Sequence, residues 1–431
     1  MRVLFLNDLH DPRIGSSIRQ MYQEAARLRE LGHETLVVTA TQNPDEAGAT
    51  EIEGCEVQRL LSDYPVRWRA WVALDNPRVR DSVREVYERW RPDVVHSHLI
   101  HTHLGFASLT QARELGAGVV FTAHDVMTFC YQKLTCFHGG EEQGGRLRDY
   151  RAYWQKCIPC QRLRFRPGRN RAIRRVLDRD VHRLTVVSDE LGQALRANGI
   201  RVDRTVHNAI ELRPALPSPE QVEAFRRQHG LTGKQVITIG GRLHEQKGVL
   251  QLLRMLEALA PEFPDLRLLV MGRREIYDDG FAEAARSLGV HGRVVPTGWL
   301  DGDELQCAYA ATDVFVTPSI CFDTFGLVNL EAMEHRKPVV ATVFGGSPEV
   351  VADGGSGRIA NPFEVEGFAE AIAGLLRDPE LAARMGEAGY LRLKERFTIQ
   401  RLTDEFLEEY DQACSTAGKR LSVGSADSPG R

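Results

Sequence analysis

Two periods of hydrophobicity alternate along the 431 residues. Short apolar runs rich in Val, Ile and Leu predict strands at 3–6, 35–39, 57–60, 94–96, 119–122, 184–187 and 205–207. A second series follows at 236–239, 267–270, 294–297, 314–317, 338–341 and 358–360. Stretches with apolar positions three and four apart separate these runs, and such alternation builds a parallel sheet covered by helices. In the first of them Ile18, Met21, Tyr22, Ala25 and Leu28 share one face; Ser16 or Ser17 can cap its start and Gly32 ends it. The Pro-rich stretch 213–220 divides the two series and places a hinge at 209–219. Two open parallel sheets facing each other predict a ligand cleft beyond the carboxyl ends of their strands.

The richest chemistry lies in CFDTFGLVNLEAMEHRKPVVATVFGGSPEV, residues 321–350. Asp323 and Glu331 bracket Phe325, Gly326, Leu327 and Val328, which open a helical pattern. A basic turn of His335, Arg336 and Lys337 ends that pattern, and Gly345, Gly346 and Glu349 follow the next strand. Free backbone N–H groups at a helix start attract a phosphate or polarised hydroxyls, so 325–328 is a candidate anion site. Ionised carboxylates only accept hydrogen bonds, which suits a polyhydroxylated ligand beside it. Upstream, Gly241, Arg242 and Lys247 follow an apolar strand in IGGRLHEQKG. A glycine turn lets backbone approach a ligand closely, and two cations balance a diphosphate. The pattern reads as a pocket for a sugar joined to phosphate.

These motifs resemble those of glycosyltransferase family 4, retaining enzymes of the GT-B fold. Asp323 to Glu331 is similar to the family's acid-x7-acid motif, with Asp323 one methylene shorter than the usual Glu. Gly241-Arg242 with Lys247-Gly248 resembles its GR-x4-KG phosphate motif, and PDVVHSHL, FTAHD, TVVSDE and TVHNAI stand in the expected order. The similarity runs from residue 1 to about 414. It implies an α/β GT-B architecture of two Rossmann-like doubly wound domains. Residues 1–208 would bind the acceptor and carry a cysteine-containing insertion at 126–165; residues 209–395 would bind the donor; a helix at 396–414 would cross back.

By the same resemblance Arg242 and Lys247 stabilise the departing nucleotide diphosphate, Glu331 meets the ribose and Asp323 the donor sugar. Main-chain groups near Trp299 and Leu300 would meet the base, and Gly15 would approach the diphosphate from the first domain. His124, which residue chemistry alone makes an ordinary structural histidine, becomes the principal catalytic residue beside the donor sugar. No nucleophile accompanies it, which with a retaining course implies front-face displacement: the departing phosphate takes the acceptor's proton. The expected reaction moves a hexose-type sugar to a glycan or lipid-linked hydroxyl, in cell-surface polysaccharide or glycolipid synthesis, without a required cofactor. Two rivals are a phosphorylase or epimerase on the same fold, for which no distinctive pyridoxal lysine is evident, and a non-enzymatic module binding a polyanion or a protein.

Three further features bear on partners. Cys130, Cys136, Cys157 and Cys160 give a C-x5-C…C-x2-C pattern that fits a structural zinc or four unligated thiols. His96, His98, His101 and His103 straddle a strand end and read as polar residues at the cleft rim rather than metal ligands. The net charge of −4 is uneven: residues 146–183 hold 13 Arg or Lys against 3 Asp or Glu. Within 162–183, Leu163, Phe165, Ile173, Val176 and Leu177 interleave with arginines, which predicts contact with an anionic membrane surface. Nucleic acid is not expected, because stacking aromatics and a recognition motif are lacking. No apolar run approaches the roughly 18 residues of a membrane span, and the chain opens directly on a strand, so a cytoplasmic protein with reduced cysteines is expected, peripheral on the inner membrane face at most. The tail 415–431 is small and polar and is expected to be disordered.

Overall fold

The computed structural model describes residues 1–11 and 15–418. The first domain carries eight strands: β1 (Arg2–Leu6), β2 (Glu34–Thr41), β3 (Gly48–Ile52), β4 (Cys55–Leu61), β5 (Val94–Ser97), β6 (Gly118–Ala123), β7 (Arg183–Val186) and β8 (Arg204–Thr205). They lie in the order β3-β4-β2-β1-β5-β6-β7-β8, and only the β3–β4 pair is antiparallel. The second domain has β9 (Gln235–Gly240), β10 (Leu266–Met271), β11 (Val294–Gly298), β12 (Val314–Thr317), β13 (Val339–Thr342) and β14 (Gly357–Ala360), all parallel, in the order β11-β10-β9-β12-β13-β14. Two parallel-sheet α/β domains in this arrangement are the GT-B fold.

The central strands β1, β5, β6, β12 and β13 are buried along their whole length or nearly so, which is why they read as unbroken apolar runs. The helix Ile399–Thr416 returns to the first sheet and buries Leu402, Phe406, Tyr410 and Ala413 against Val3, Phe5 and Val120. It runs two residues into the expected tail; residues 419–431 lie outside the described ones. The chain passes between the domains twice, side by side: Ile210 N–H donates to Phe397 O at 3.0 Å and Ile210 bridges Thr398. The Ser218 capping box then starts the second domain's first helix, Pro219–Gln228.

Four expectations are corrected. β3 was absent from the expected strands; GATEI is a half-exposed edge strand with too little apolar alternation to stand out. The first helix starts at Ser16, and extended Gly15 rather than a serine holds the N-cap position. His96, His98 and His103 are buried rather than at a rim: the returning helix covers His96, His98 lies between His96 and His124, and His103 sits against Ser62 and Tyr64. His96 lies between Tyr410 Oη (2.7 Å) and Thr122 Oγ1 (2.7 Å), and Tyr410 donates to buried Glu24 at 2.6 Å. Finally, Ile173 and Leu177 point into the first domain's core, so the apolar face of the helix Arg169–Asp180 is already occupied.

The insertion 126–165 lies across the cleft. Phe137 meets Phe322 and Phe344 edge-on, with ring centroids 5.4 and 5.5 Å apart. His138 Nε2 donates to Ile320 O at 2.6 Å, and Asn361 donates to Gly144 O at 2.7 Å.

Candidate active site

The site grows from two turns at the carboxyl edge of the second sheet. After β9 the chain makes a short 3-10 turn, Glu245–Lys247, and enters the helix Val249–Leu259 through Gly248. Gly248 has φ +74°, and a Cβ there would fall 1.8 Å from Pro318 O, so only glycine lets this turn lie against the loop after β12. Gly345, at φ +70°, closes on the same loop: a Cβ would stand 2.0 Å from Asp323 O, which accepts the Gly346 N–H at 2.8 Å.

Held in this way, Asp323 receives Lys247 Nζ at 2.7 Å and Ser319 Oγ at 3.0 Å on one carboxylate oxygen. Burial disfavours both charges, but each offsets that penalty for the other. The Asp323 pKa is lowered and that of Lys247 raised, so the pair is ionised. Arg242 stands exposed on the adjoining turn and its field reaches Lys247. A third cation, Lys133, comes from the insertion. Crowding by the cleft walls lowers its pKa, Lys247 and Arg242 add to that, and Cys321 and Asp323 oppose it.

The helix Leu327–Glu334 begins at left-handed Gly326 (φ +79°), and its first N–H groups have no helical acceptor. Phe325 packs on His207 and Phe397, so only its main chain can serve a ligand. Val328 stands beside the Gly241 turn, joining the helix start to the phosphate loop. On this helix Glu331 accepts Tyr309 Oη at 2.5 Å and is ion-paired with Arg19, one turn past Gly15 in the first domain. Arg19, Glu331, Glu334 and the hinge residues Ile210–Pro214 line an interdomain cavity of about 310 Å³.

His124 ends β6, and its carbonyl accepts Thr324 Oγ1 at 2.8 Å, joining it to the residue after Asp323. Its Nε2 stands 2.7 Å from His98 Nδ1, while its Nδ1 is buried without a hydrogen-bond partner among the described residues. Burial, with His96 nearby, pushes its pKa down to about 3, so the ring is neutral. Trp299 lies at the far edge of the sheet, half-exposed beside Arg273, Arg274, Glu275 and Gly298 at an open cavity of about 430 Å³; Leu300 is buried. Gly15 borders 12–14, which lie outside the described residues.

The structure therefore brings together Gly241, Arg242, Lys247, Asp323, Gly326 to Val328 and His124, with Glu331 one helical turn further on, and leaves Trp299 and Leu300 apart. Arg19, Lys133, Ser319 and Tyr309 were missed; no motif spacing marks them, and His98 was read only as a rim residue. Of the four insertion cysteines, Cys136 and Cys160 are exposed and Cys130 and Cys157 half-buried. Burial and the neighbouring thiols push Cys157 up to about 11. Among the described residues the group of metal-ligand atoms found within 4.8 Å of one another is Glu24, His96 and His98; the four thiols are not drawn that close.

Residues 221–392 match the family described as glycosyl transferases group 1, and residues 17–209 match the glycosyl transferase 4-like domain. The chain is 35% identical over 179 residues to a GDP-mannose-dependent α-(1-6)-phosphatidylinositol monomannoside mannosyltransferase of Mycolicibacterium smegmatis, a match covering 40% of this chain and 47% of that one. It is 30% identical over 332 residues to a D-inositol 3-phosphate glycosyltransferase of Segniliparus rotundus, covering 76% of this chain and 68% of its relative. In fold it is similar to sucrose-phosphate synthase from Thermosynechococcus elongatus, with TM-score 0.74, 20% identity, and 96% and 99% of the two chains covered.

The buried histidines make stability fall with acid. His124 titrates at about 3 in the fold against 6.5 ordinarily, so the unfolded chain binds the proton first. Its contribution is complete above about pH 6.5 and is lost as pH falls towards 3, at up to about 1.4 kcal/mol per pH unit. His182 and His335, each pushed down to about 4 by burial, act in the same direction. Urea midpoints should decline between pH 6.5 and 5, above the carboxylate range, with a shallower slope for His124→Gln. A midpoint flat across that window contradicts neutral buried rings.

Proposed function

The chain belongs to the group 1 glycosyl transferases, and from that premise we propose that it moves a hexose-type sugar from a nucleotide-diphosphate donor to a hydroxyl of a glycan or lipid-linked acceptor. The observation that carries this reading is the ionised Lys247–Asp323 pair with Arg242 on the adjoining turn, directly before a helix start with free N–H groups. Lys247 and Arg242 take the diphosphate, the N–H groups of Leu327 and Val328 add to its field, and Asp323 accepts from sugar hydroxyls. Glu331 exchanges Arg19 for the ribose. On the retaining course expected of the family, the acceptor oxygen bonds the anomeric carbon on the face the phosphate leaves, and configuration is retained. As the carbon–oxygen bond to phosphate breaks, a phosphate oxygen takes the acceptor proton, and the cations spread the charge. His124, neutral and with an open Nδ1, positions the sugar beside the reacting carbon.

Calorimetric titration with UDP-, GDP- and ADP-sugars tests the donor pocket. One base class should bind, and Glu331→Ala should weaken it by about tenfold or more, the scale of a lost hydrogen bond to a charged group. Folded protein that binds none of the three refutes the reading and favours a binding module. Because Arg242 and Lys247 supply the positive charge, exhaustive EDTA treatment should leave donor turnover unchanged. Turnover abolished by EDTA and restored by magnesium, with the fold intact, removes that part.

A lipid-linked acceptor is supported by an exposed apolar and basic face on the first domain. Leu163 is 89% and Trp154 63% exposed, and Ile158 and Trp71 are also open. Arg166 stacks on Trp71 at 5.4 Å and donates to its carbonyl at 2.5 Å, so 66–71 and the arginines at 162–166 form one surface. Apolar side chains among arginines suit an anionic bilayer. No helix among the described residues is long and apolar enough to cross a membrane, which leaves surface attachment as the mode. Flotation with phosphatidylglycerol vesicles at low salt should capture the protein, and Trp154→Ser with Leu163→Ser should release it; no capture of the wild type refutes membrane contact.

A further inference from the structure

The cysteine-bearing insertion belongs to the first domain, yet its most specific contacts are with the second. His138 Nε2 donates to Ile320 O at 2.6 Å, three residues before Asp323. The N–H of Gly140 donates to His138 Nδ1 at 2.9 Å, which fixes the proton on Nε2 and hence the direction of the Ile320 bond. Phe137 stacks edge-on against Phe322 on the same loop. Upstream, Tyr131 is clamped by the Arg169 guanidinium, 4.8 Å over its ring, and its hydroxyl donates to Arg166 O at 3.0 Å. Leu134, buried and in the left-handed region (φ +51°), turns the chain between these anchors. Lys133 sits at that turn, exposed, within reach of the charges of Lys247, Arg242 and Asp323 of the donor site.

This placement puts like charges together. Lys247 is already paired with Asp323, so Lys133 and Arg242 stand as surplus cations around one satisfied carboxylate. Like charges brought to one site repel in the empty protein, and the cleft walls around Lys133 add to that cost. A polyanion bound among the three relieves both.

We propose that Lys133, carried by the first domain's insertion, contacts the donor's diphosphate directly, so that donor binding itself fastens the first domain to the second. The inference rests on the donor reading above and adds to it a phosphate ligand from the opposite side of the cleft. Arg242 and Lys247 approach from the β9 turn, Lys133 from the insertion, and the diphosphate bridges them. Docking through His138 and Phe137 holds the lysine over the site, which makes it a binding residue and the docking contacts positioning residues.

The test is calorimetric titration of wild type, Lys133→Met and Lys133→Arg with UDP, GDP and ADP, and with the monophosphate of whichever base binds. Lys133→Met should weaken the nucleoside diphosphate by about tenfold, the scale of a charge-assisted contact, and change the monophosphate by less than about twofold. Lys133→Arg should restore most of the loss, which a purely structural role of the turn would not predict. Diphosphate affinity unchanged in Lys133→Met overturns the inference, as does equal loss for both nucleotides. Wild type that binds no nucleoside diphosphate overturns the donor reading with it; wild type that binds, with Glu331→Ala impaired and Lys133→Met unimpaired, overturns this inference alone.

Discussion

The Lys247–Asp323 pair is the contact on which the rest of the site depends. Ionised groups this buried cost desolvation, and geometry has to be fixed for their attraction to offset it. The fold fixes it by backbone: Gly248 lies against Pro318 O, Gly345 against Asp323 O, and Gly346 N–H holds that carbonyl. Loop 318–325 is therefore rigid on the second domain's side. The first domain reads the same loop from across the cleft, through His138 to Ile320 O, Thr324 to His124 O and Ser188 to Thr324 O at 2.7 Å. One short loop thus carries the acid, receives its cation from the turn after β9, and sets the registry of the two domains.

A second interdomain lock lies behind the site. Glu349 accepts the N–H groups of Asp189 and Glu190 at 2.8 and 2.9 Å, capping the helix Asp189–Ala197 from the other domain, and meets His207 Nε2 at 2.9 Å. A carboxylate at a helix start is favoured by the free N–H groups there. With the twin crossing at Ile210 and Phe397, the domains are fixed at the hinge, behind the cleft and across its mouth.

Much of this was legible in sequence because central parallel strands are apolar throughout and phosphate turns need glycine at set places. Gly241, Lys247, Asp323 and the 327 helix start could be read for that reason, since each acts through local spacing. What escaped acts at long range. His96 is buried by Tyr410, 314 positions away, and Arg19 meets Glu331 across 312. No periodicity encodes such meetings. Lys133 escaped differently: it sits in a loop whose cysteines drew the eye to metal chemistry, and its meaning comes only from where Phe137 and His138 dock. The apolar positions among the arginines of 162–183 divide between two tasks. Ile173 and Leu177 close the core, and only Leu163 and its neighbours remain outside.

Both acids of the acid-x7-acid pattern are matched to a cation in the described state, Asp323 to Lys247 and Glu331 to Arg19. Neither carboxylate has to be stripped of water afresh when a ligand arrives. In the proposed donor complex Glu331 exchanges a guanidinium for hydroxyl donors while Tyr309 holds its other oxygen in place. An exchange of partners costs far less than burying a new charge, since most of the desolvation is already met in the folded protein. The arrangement also ties selectivity to chemistry: a ligand lacking the hydroxyl pair leaves Glu331 with Arg19, and one lacking phosphate leaves the cations around Asp323 repelling one another. On the proposed reading, the two carboxylates give up a cation for hydroxyls, while the diphosphate goes to cations the empty site leaves in excess.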